Sequence, residues 1–293
     1  MSKSNQPIIA KAIQALSDLD TIKKVCYQKQ RGVPMPSVEA LKDVVTLIRG
    51  IVFPGYFGNA AVTAQSMQKH IADSVQRLHI QLTEQVLAGL SFYKESEEDT
   101  AMLMEKANDI VLSFIAKLAD IRETLATDVL AAYNGDPAAK SFGEIILCYP
   151  AIRAISSYRI AHQLLLLDVP LIPRIITEMA HSETGVDIHP GAKIGDFFYI
   201  DHGTGVVIGE TAIIGKHVQL YQGVTLGAKS FPMDAQGNPI KGIDRHPILE
   251  DNVIVYSNAS ILGRITIGKG AIIGGNIWVD QNVPAGGKVL QKK

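Results

Sequence analysis

From Val186 onward the sequence repeats every six residues, and that period constrains the fold of this half more than any other feature. The blocks VDIHPG, AKIGDF and FYIDHG begin at Val186, Ala192 and Phe198. Two extra residues, Thr204 and Gly205, intervene before VVIGET, AIIGKH, VQLYQG and VTLGAK, which begin at Val206, Ala212, Val218 and Val224. After a 17-residue insertion at positions 230–246, PILEDN, VIVYSN, ASILGR, ITIGKG, AIIGGN and IWVDQN carry the period to residue 282. The third position is Ile, Val or Leu in all 13 blocks. A strand alternates with period two and a helix repeats near 3.6, so neither alone keeps an inward aliphatic at a fixed slot in six. Short strands joined by tight corners do, with each hexad forming one flat face of a coil. Three faces per coil give a triangular prism of parallel strands. Gly195, Gly209, Gly215, Gly227, Gly268 and Gly274 fall just after the inward aliphatic, where a corner is expected to use their access to positive φ.

The preceding half reads as helical. In residues 101–133, apolar side chains fall at Leu103, Ala107, Val111, Phe114, Leu118, Ile121 and Leu125, a spacing of three and four that predicts one buried helix stripe. Residues 60–94 read the same way. Gly32, Pro34 and Pro36 break an earlier helix, and Ser37 caps the next, which ends near Gly50. Asn134-Gly135-Asp136-Pro137 ends the long helix, and two shorter helices are predicted near 150–167 and 171–182. The expected architecture is α+β multidomain. It comprises an all-α N-terminal domain over 1–183 and a parallel β-helix over 184–293, interrupted by the loop at 230–246.

Several function classes fall away. Lys and Arg number 28 against 29 Asp and Glu, a net charge of −1, and no basic run marks a nucleic-acid surface. The most apolar stretch, 160–176, contains His162, Asp168, Pro170 and Pro173, and a membrane span needs about 20 mostly apolar residues, so a soluble protein is expected. The two cysteines, Cys26 and Cys148, are far apart and offer neither a CxxC motif nor a disulfide framework, which suits a reducing cytoplasm.

A regular solenoid tolerates interruptions mainly where they leave the stack, and both interruptions here adjoin histidines. The short one follows Asp201-His202-Gly203, and the long one ends in Asp244-Arg245-His246-Pro247. A neutral His202 at a corner can take a proton from a hydroxyl at neutral pH. Asp187, 15 residues earlier in the same coil, is a candidate to orient it. The alternative is a solvated corner histidine. Arg245 offers a planar fork for a carboxylate, or is a loop arginine in solvent. His189 reads as a turn residue, and His181 and His217 as surface positions. No two histidines from 181 onward have the spacing of a zinc pair, so no metal is expected. Asp136 reads alone as a turn or cap residue, and Glu210 as a supporting carboxylate or a polar corner.

The runs VDIHP at 186–190, IDHGTGVVIGET at 200–211, QGVTLG at 222–227 and RHP at 245–247 together resemble serine O-acetyltransferase, a family of hexapeptide-repeat acyltransferases. The resemblance extends from about Asp136 to about Val283. It implies a left-handed β-helix behind the helical domain, and transfer of acetyl from acetyl-CoA to the hydroxyl of L-serine, the first step towards cysteine. It makes His202 the general base and Asp187 its orienting carboxylate. Asp136 and Asp201 would hold the serine ammonium, and Arg245 the carboxylate, with His246 beside it. Acetyl-CoA would lie in the groove between β-helices of a trimer, near Gly227, Ala228, Ser257 and Gly275, and the helical domain would pair trimers into a hexamer. The rival reading keeps the acyltransferase and changes the acceptor, to homoserine or a sugar. The tail, VPAGGKVLQKK, lacks the extended Ile-terminated segment through which family members dock on O-acetylserine sulfhydrylase, so that complex is not the expectation here.

Overall fold

The computed structural model describes residues 6–18, 20, 35–58, 62–92 and 100–291. The expected helix break at Gly32 and Pro34, the ends of the 60–94 helix and Cys26 lie outside the described residues. The chain divides into two compact units, residues 1–34 and 35–293. The first contains α1 (Gln6–Ser17), a 12-residue helix with none of its residues buried.

The second unit begins with helices α2 (Val38–Val52), α3 (Met67–Leu90), α4 (Thr100–Ala116), α5 (Leu118–Gly135), α6 (Phe142–Cys148), α7 (Pro150–Leu166) and α8 (Ile172–Thr184). Ser37 caps α2 by accepting from the Ala40 N–H, as its sequence predicts. The predicted stripe from Leu103 to Leu125 is buried throughout, but it is carried by two helices. The Lys117 N–H turns back to Phe114 O at 2.9 Å, and the axis breaks there. The cause is tertiary: α4 packs on α3, whereas α5 packs on α2, α6, α7 and the first coil of the β-helix. The short α6 was not foreseen.

Each of the 13 hexads supplies one strand. The first three are β1 (Asp187–Ile188), β2 (Lys193–Ile194) and β3 (Tyr199–Ile200). Next come β4 (Val207–Ile208), β5 (Ile213–Ile214), β6 (Gln219–Leu220) and β7 (Thr225–Gly227). Beyond the insertion lie β8 (Ile248–Leu249), β9 (Ile254–Val255), β10 (Ser260–Leu262), β11 (Thr266–Ile267), β12 (Ile272–Ile273) and β13 (Trp278–Val279). A fourteenth strand, β14 (Lys288–Val289), follows outside the hexad frame. They form three parallel sheets, in the orders β1-β4-β7-β10-β13, β11-β8-β5-β2 and β14-β12-β9-β6-β3. We call these the first, second and third faces. The register stacks inward aliphatics directly, Ile188 on Ile208 on Leu226 on Ile261 on Val279, and all five are buried.

The glycines after the inward aliphatics are used differently from the sequence expectation. Positive φ falls instead at the sixth hexad position, in Phe197, His217, Gly223, Asn252, Asn258, Gly270 and Asn276, at 56–72°. Among the six glycines, Gly195, Gly209, Gly215 and Gly268 are required by close approach of the next turn of chain: a Cβ on Gly195 would lie 2.8 Å from Gly215 C, and one on Gly268 would lie 2.5 Å from Ala285 N.

The helices are fastened to the first coil by polar groups. Arg159 on α7 donates through Nε and Nη2 to the two carboxylate oxygens of Asp128 on α5, both at 3.1 Å. The same guanidinium donates to Ile194 O at 2.5 Å and Gly195 O at 2.6 Å. Asp128 Oδ1 also accepts from the Phe198 N–H at 2.9 Å. Tyr158 Oη donates to Ala192 O at 2.6 Å, and Thr127 Oγ1 accepts from the Phe197 N–H. Asp128 is wholly buried and Arg159 is 8% exposed. Removing one partner of such a pair leaves a buried charge unmatched. Asp128→Ala is therefore expected to lower unfolding free energy by about 3–5 kcal/mol, read by urea denaturation; a loss below about 1 kcal/mol, the value of an exposed pair, would contradict the assignment.

Candidate active site

Side chains with chemical potential gather at two corners, on either side of the first face. The first corner runs from the third face to the first, where β3 gives way to Asp201 and His202. The two-residue insertion bulges the chain here. Gly203 N–H bonds Asp201 O at 2.6 Å, a three-residue turn with His202 at its centre and φ of 56°. Positive φ is costly for a residue with a side chain, and such strain collects at functional sites. Gly203 itself has φ of 95°, and a Cβ there would lie 2.9 Å from Val186 Cγ2. The bulge is held by Gly205 N–H to Gly185 O and by Gly223 N–H to Thr204 O. His202 is thereby pushed outward, its side chain 75% exposed.

The C-terminus of α5 meets this corner. A Cβ on Gly135 would lie 2.6 Å from Tyr199 Cε1, so only glycine allows the helix end to touch the Tyr199 ring. Asp136, the C-cap of α5, then stands beside Asp201. Tyr149 Oη donates to Asp136 Oδ2 at 2.5 Å, and Tyr199 Oη donates to Asp201 Oδ1 at 2.9 Å. The Tyr149 hydrogen bond holds the Asp136 carboxyl below its usual range, helped by the Ala138 N–H and the field of His202. Conversely, bonding to Asp136 pushes the Tyr149 phenol up to about 12. Burial and the Asp201 bond raise Tyr199. Both phenols remain protonated donors, and the Asp136 carboxyl stays anionic. His202 Nε2 lies 4.0 Å from Asp201 Oδ2.

The second corner joins the first face to the second. It holds His189, Glu210, Thr211 and the returning end of the insertion, Arg245-His246. Arg245 Nη2 donates to Glu210 Oε2 at 3.0 Å. His246 is 7% exposed, and a Cβ on Gly209 would lie 2.1 Å from its Cδ2. Its Nδ1 accepts from the Thr211 N–H at 3.0 Å, so in the neutral ring Nε2 carries the proton. Burial first, then the neighbouring Arg245, lowers its pKa to about 4. His189 Nδ1 accepts from the Gly191 N–H at 3.0 Å, a turn role in keeping with its sequence reading.

Asp187 projects from β1 and gathers with Glu178 and His181 of α8, their donor atoms within 4.8 Å of one another; Arg174 is ion-paired with Glu178. Of the residues expected beside the cofactor, Gly227 and Ala228 lie at the second corner. Ser257 and Gly275 lie at the first, where a Cβ on Gly275 would be 3.1 Å from Ser257 O. The chain thus unites Asp136, Asp201 and His202, and separately Arg245 and His246. Tyr149, Tyr199 and Thr211 were not foreseen: none occupies a slot that periodicity singles out, and each matters through a tertiary contact.

No family model matches the chain. A serine acetyltransferase of plasmid origin from Synechococcus elongatus is 47% identical over 262 residues, which are 88% of this chain and 82% of that protein. A serine acetyltransferase from Bacillus licheniformis is 46% identical over 160 residues, 55% of this chain and 70% of its own. Among solved structures, serine acetyltransferase isoform 3 from Entamoeba histolytica in complex with cysteine superposes with a TM-score of 0.72 at 32% identity, covering 100% of this chain and 94% of that one. The Neisseria gonorrhoeae serine acetyltransferase in complex with serine gives 0.56 at 29%, covering 85% and 95%.

The environment of His246 gives a pH signature. Above pH 6.5 the ring is neutral folded and unfolded; between 6.5 and about 4 the unfolded chain binds a proton that the folded one refuses. Stability therefore falls as pH drops through that window. In denaturation at pH 7 and pH 5, His246→Asn is expected to show a smaller loss between the two than the unmodified protein; an equal loss would contradict the buried neutral ring.

Proposed function

The chain belongs to the serine acetyltransferase family, and we propose that His202 is its general base, at a site completed by two copies of the chain. The protein transfers acetyl from acetyl-CoA to the hydroxyl of L-serine, giving O-acetyl-L-serine and CoA in the first step of cysteine biosynthesis.

The observation that carries the site reading is the pair of tyrosine-capped carboxylates, Asp136 and Asp201, beside an outward-facing His202. Serine is a zwitterion. Its ammonium suits two carboxylates that each accept from a tyrosine hydroxyl, and Asp136 sits at a helix C-terminus, where the backbone dipole also favours a cation. Its carboxylate suits the Arg245 fork, with His246 beside it. Its hydroxyl is far too weak an acid to attack a thioester unaided, so a base must stand at the oxygen. His202 fills that role. Asp187 is read as its orienting carboxylate by the family resemblance. Within one chain that carboxylate gathers with Glu178 and His181, and the reading requires it to turn towards His202 when serine binds, from a strand whose Asp187 N–H bonds Val206 O at 2.9 Å beneath the bulge. Backbone N–H groups at a glycine-rich corner would receive the oxyanion, and holding both substrates together supplies much of the remaining acceleration.

The ammonium and carboxylate ligands lie at two corners of one chain, as do the cofactor-side residues Gly227 and Ala228 against Ser257 and Gly275. If the β-helix is left-handed and packs as a trimer, the first corner of one copy faces the second corner of the next, and acetyl-CoA lies in the groove between them. The helical part, residues 1–183, serves assembly into a dimer of trimers and lends Asp136. Cysteine has the same two charged ends as serine and competes for the clamp. No step calls for a metal. Among the described residues no helix is long and apolar enough to cross a membrane, and we place the reaction in the cytoplasm.

CoA release should depend on L-serine and fall by roughly 10²–10⁴ in His202→Ala. Equal rates in the two proteins would refute the base. Asp136→Asn should raise the KM for serine and leave that for acetyl-CoA nearly unchanged.

A further inference from the structure

The insertion leaves the coil at the second corner and must return there with Arg245 and His246 in a fixed place. Thr211 organises that return. Its Oγ1 accepts from the backbone N–H of Arg245 at 3.0 Å and of His246 at 3.1 Å. It also stands 2.9 Å from His246 Nδ1. A hydroxyl that accepts twice still has one proton to give, and the lone pair of Nδ1 is then shared between that hydroxyl and the Thr211 N–H.

Arg264 locks the junction from the following coil. It is the last residue of the hexad that forms β10. Its Nη1 donates to Thr211 O at 2.6 Å and to His246 O at 3.0 Å. Its Nη2 donates to Asp244 Oδ2 at 3.0 Å. One planar fork thus ties both sides of the junction, the turn that bears Thr211 and the residues flanking Arg245. A lysine cannot reproduce this with a single ammonium. The Arg245 side chain is in turn bonded to Glu210, the residue before Thr211.

We propose that Arg264, acting through Thr211, is a positioning residue that sets the Arg245 fork and thereby the preference for an acceptor with a free carboxylate. The inference rests on Arg245 as the ligand of that carboxylate. Arg264 does not touch substrate. Its effect is to hold the fork in register, where displacement by about 1 Å can cost as much as two orders of magnitude in rate. A mere loop tether would instead support all acceptors alike.

The test compares kcat/KM for L-serine with that for L-serinamide, which keeps the ammonium and hydroxyl but lacks the carboxylate. In Arg264→Met the preference for serine should shrink at least about tenfold, with the KM for acetyl-CoA within about twofold. Arg264→Lys should fall between. If Arg264→Met folds poorly, Thr211→Val, which keeps the side-chain volume, should show the same loss of preference. Equal losses for both acceptors in these variants would overturn the proposal. Arg245→Met is the control. If it leaves the preference intact, the carboxylate reading fails and takes the proposal with it. If it abolishes the preference while Arg264→Met does not, only the proposal fails.

Discussion

The buried Asp128–Arg159 pair is the constraint on which the rest of the structure depends. One apolar core runs from the helices into the first coil, and such packing alone leaves the exact seating of the helices open. The guanidinium of Arg159 settles the matter with four hydrogen bonds, two to Asp128 on α5 and two to carbonyls of the first coil. Apolar packing tolerates sliding, whereas a desolvated, fully bonded ion pair does not. Asp136 lies eight residues beyond Asp128 on the same helix, about two turns on. Fixing Asp128 against Phe198 therefore fixes Asp136 against Asp201, and the ammonium end of the site is assembled as a consequence of how the helices dock.

The coil supplies regularity and the site comes from its exceptions. Sixth-position residues take positive φ, often as asparagine, and the next strand starts in register. At the corner after β3 the positive φ extends to a second residue: His202, at the fifth position, holds it together with Gly203, and two further residues are needed before β4 can pair with β1. The side chain is thrown out of the stack as a result. At the opposite corner the exception is the long insertion, whose return is bound to Thr211 and packed over Gly209. Both irregularities bring polar side chains to the edges of one face, where a neighbouring coil can meet them.

Much of this was legible in the sequence. The strands of all 13 hexads could be placed because burial on a three-faced coil forces an aliphatic into the same slot each time. The cap of α2 was also readable, since it depends on the local residue Ser37, and α7 and α8 fall within two residues of the spans expected for them. What could not be read depends on partners distant in sequence. Leu103 through Leu125 form one unbroken stripe, yet its halves pack on different helices and the axis breaks at Lys117. The glycines after the aliphatics were correctly located but assigned the wrong cause, because the close approach of the next turn of chain is invisible in a single repeat. β14 falls outside the hexad frame. The motif residues of the site stood out beside the interruptions, while Tyr149, Tyr199 and Thr211, which tune and hold them, carry no pattern of their own.

The central claim is that the two halves of the site, at the two edges of the first face, act together across two copies. Mixed oligomers test it most directly. His202→Ala and Arg245→Met chains, each impaired alone, would be co-expressed and the mixed species purified. In a mixed cyclic trimer of either two-to-one composition, about one interface in three pairs an intact first corner with an intact second corner. The account expects serine-dependent CoA release to return towards that fraction. Mixed oligomers no more active than the better of the two parents would contradict it, and would place the whole site within a single chain.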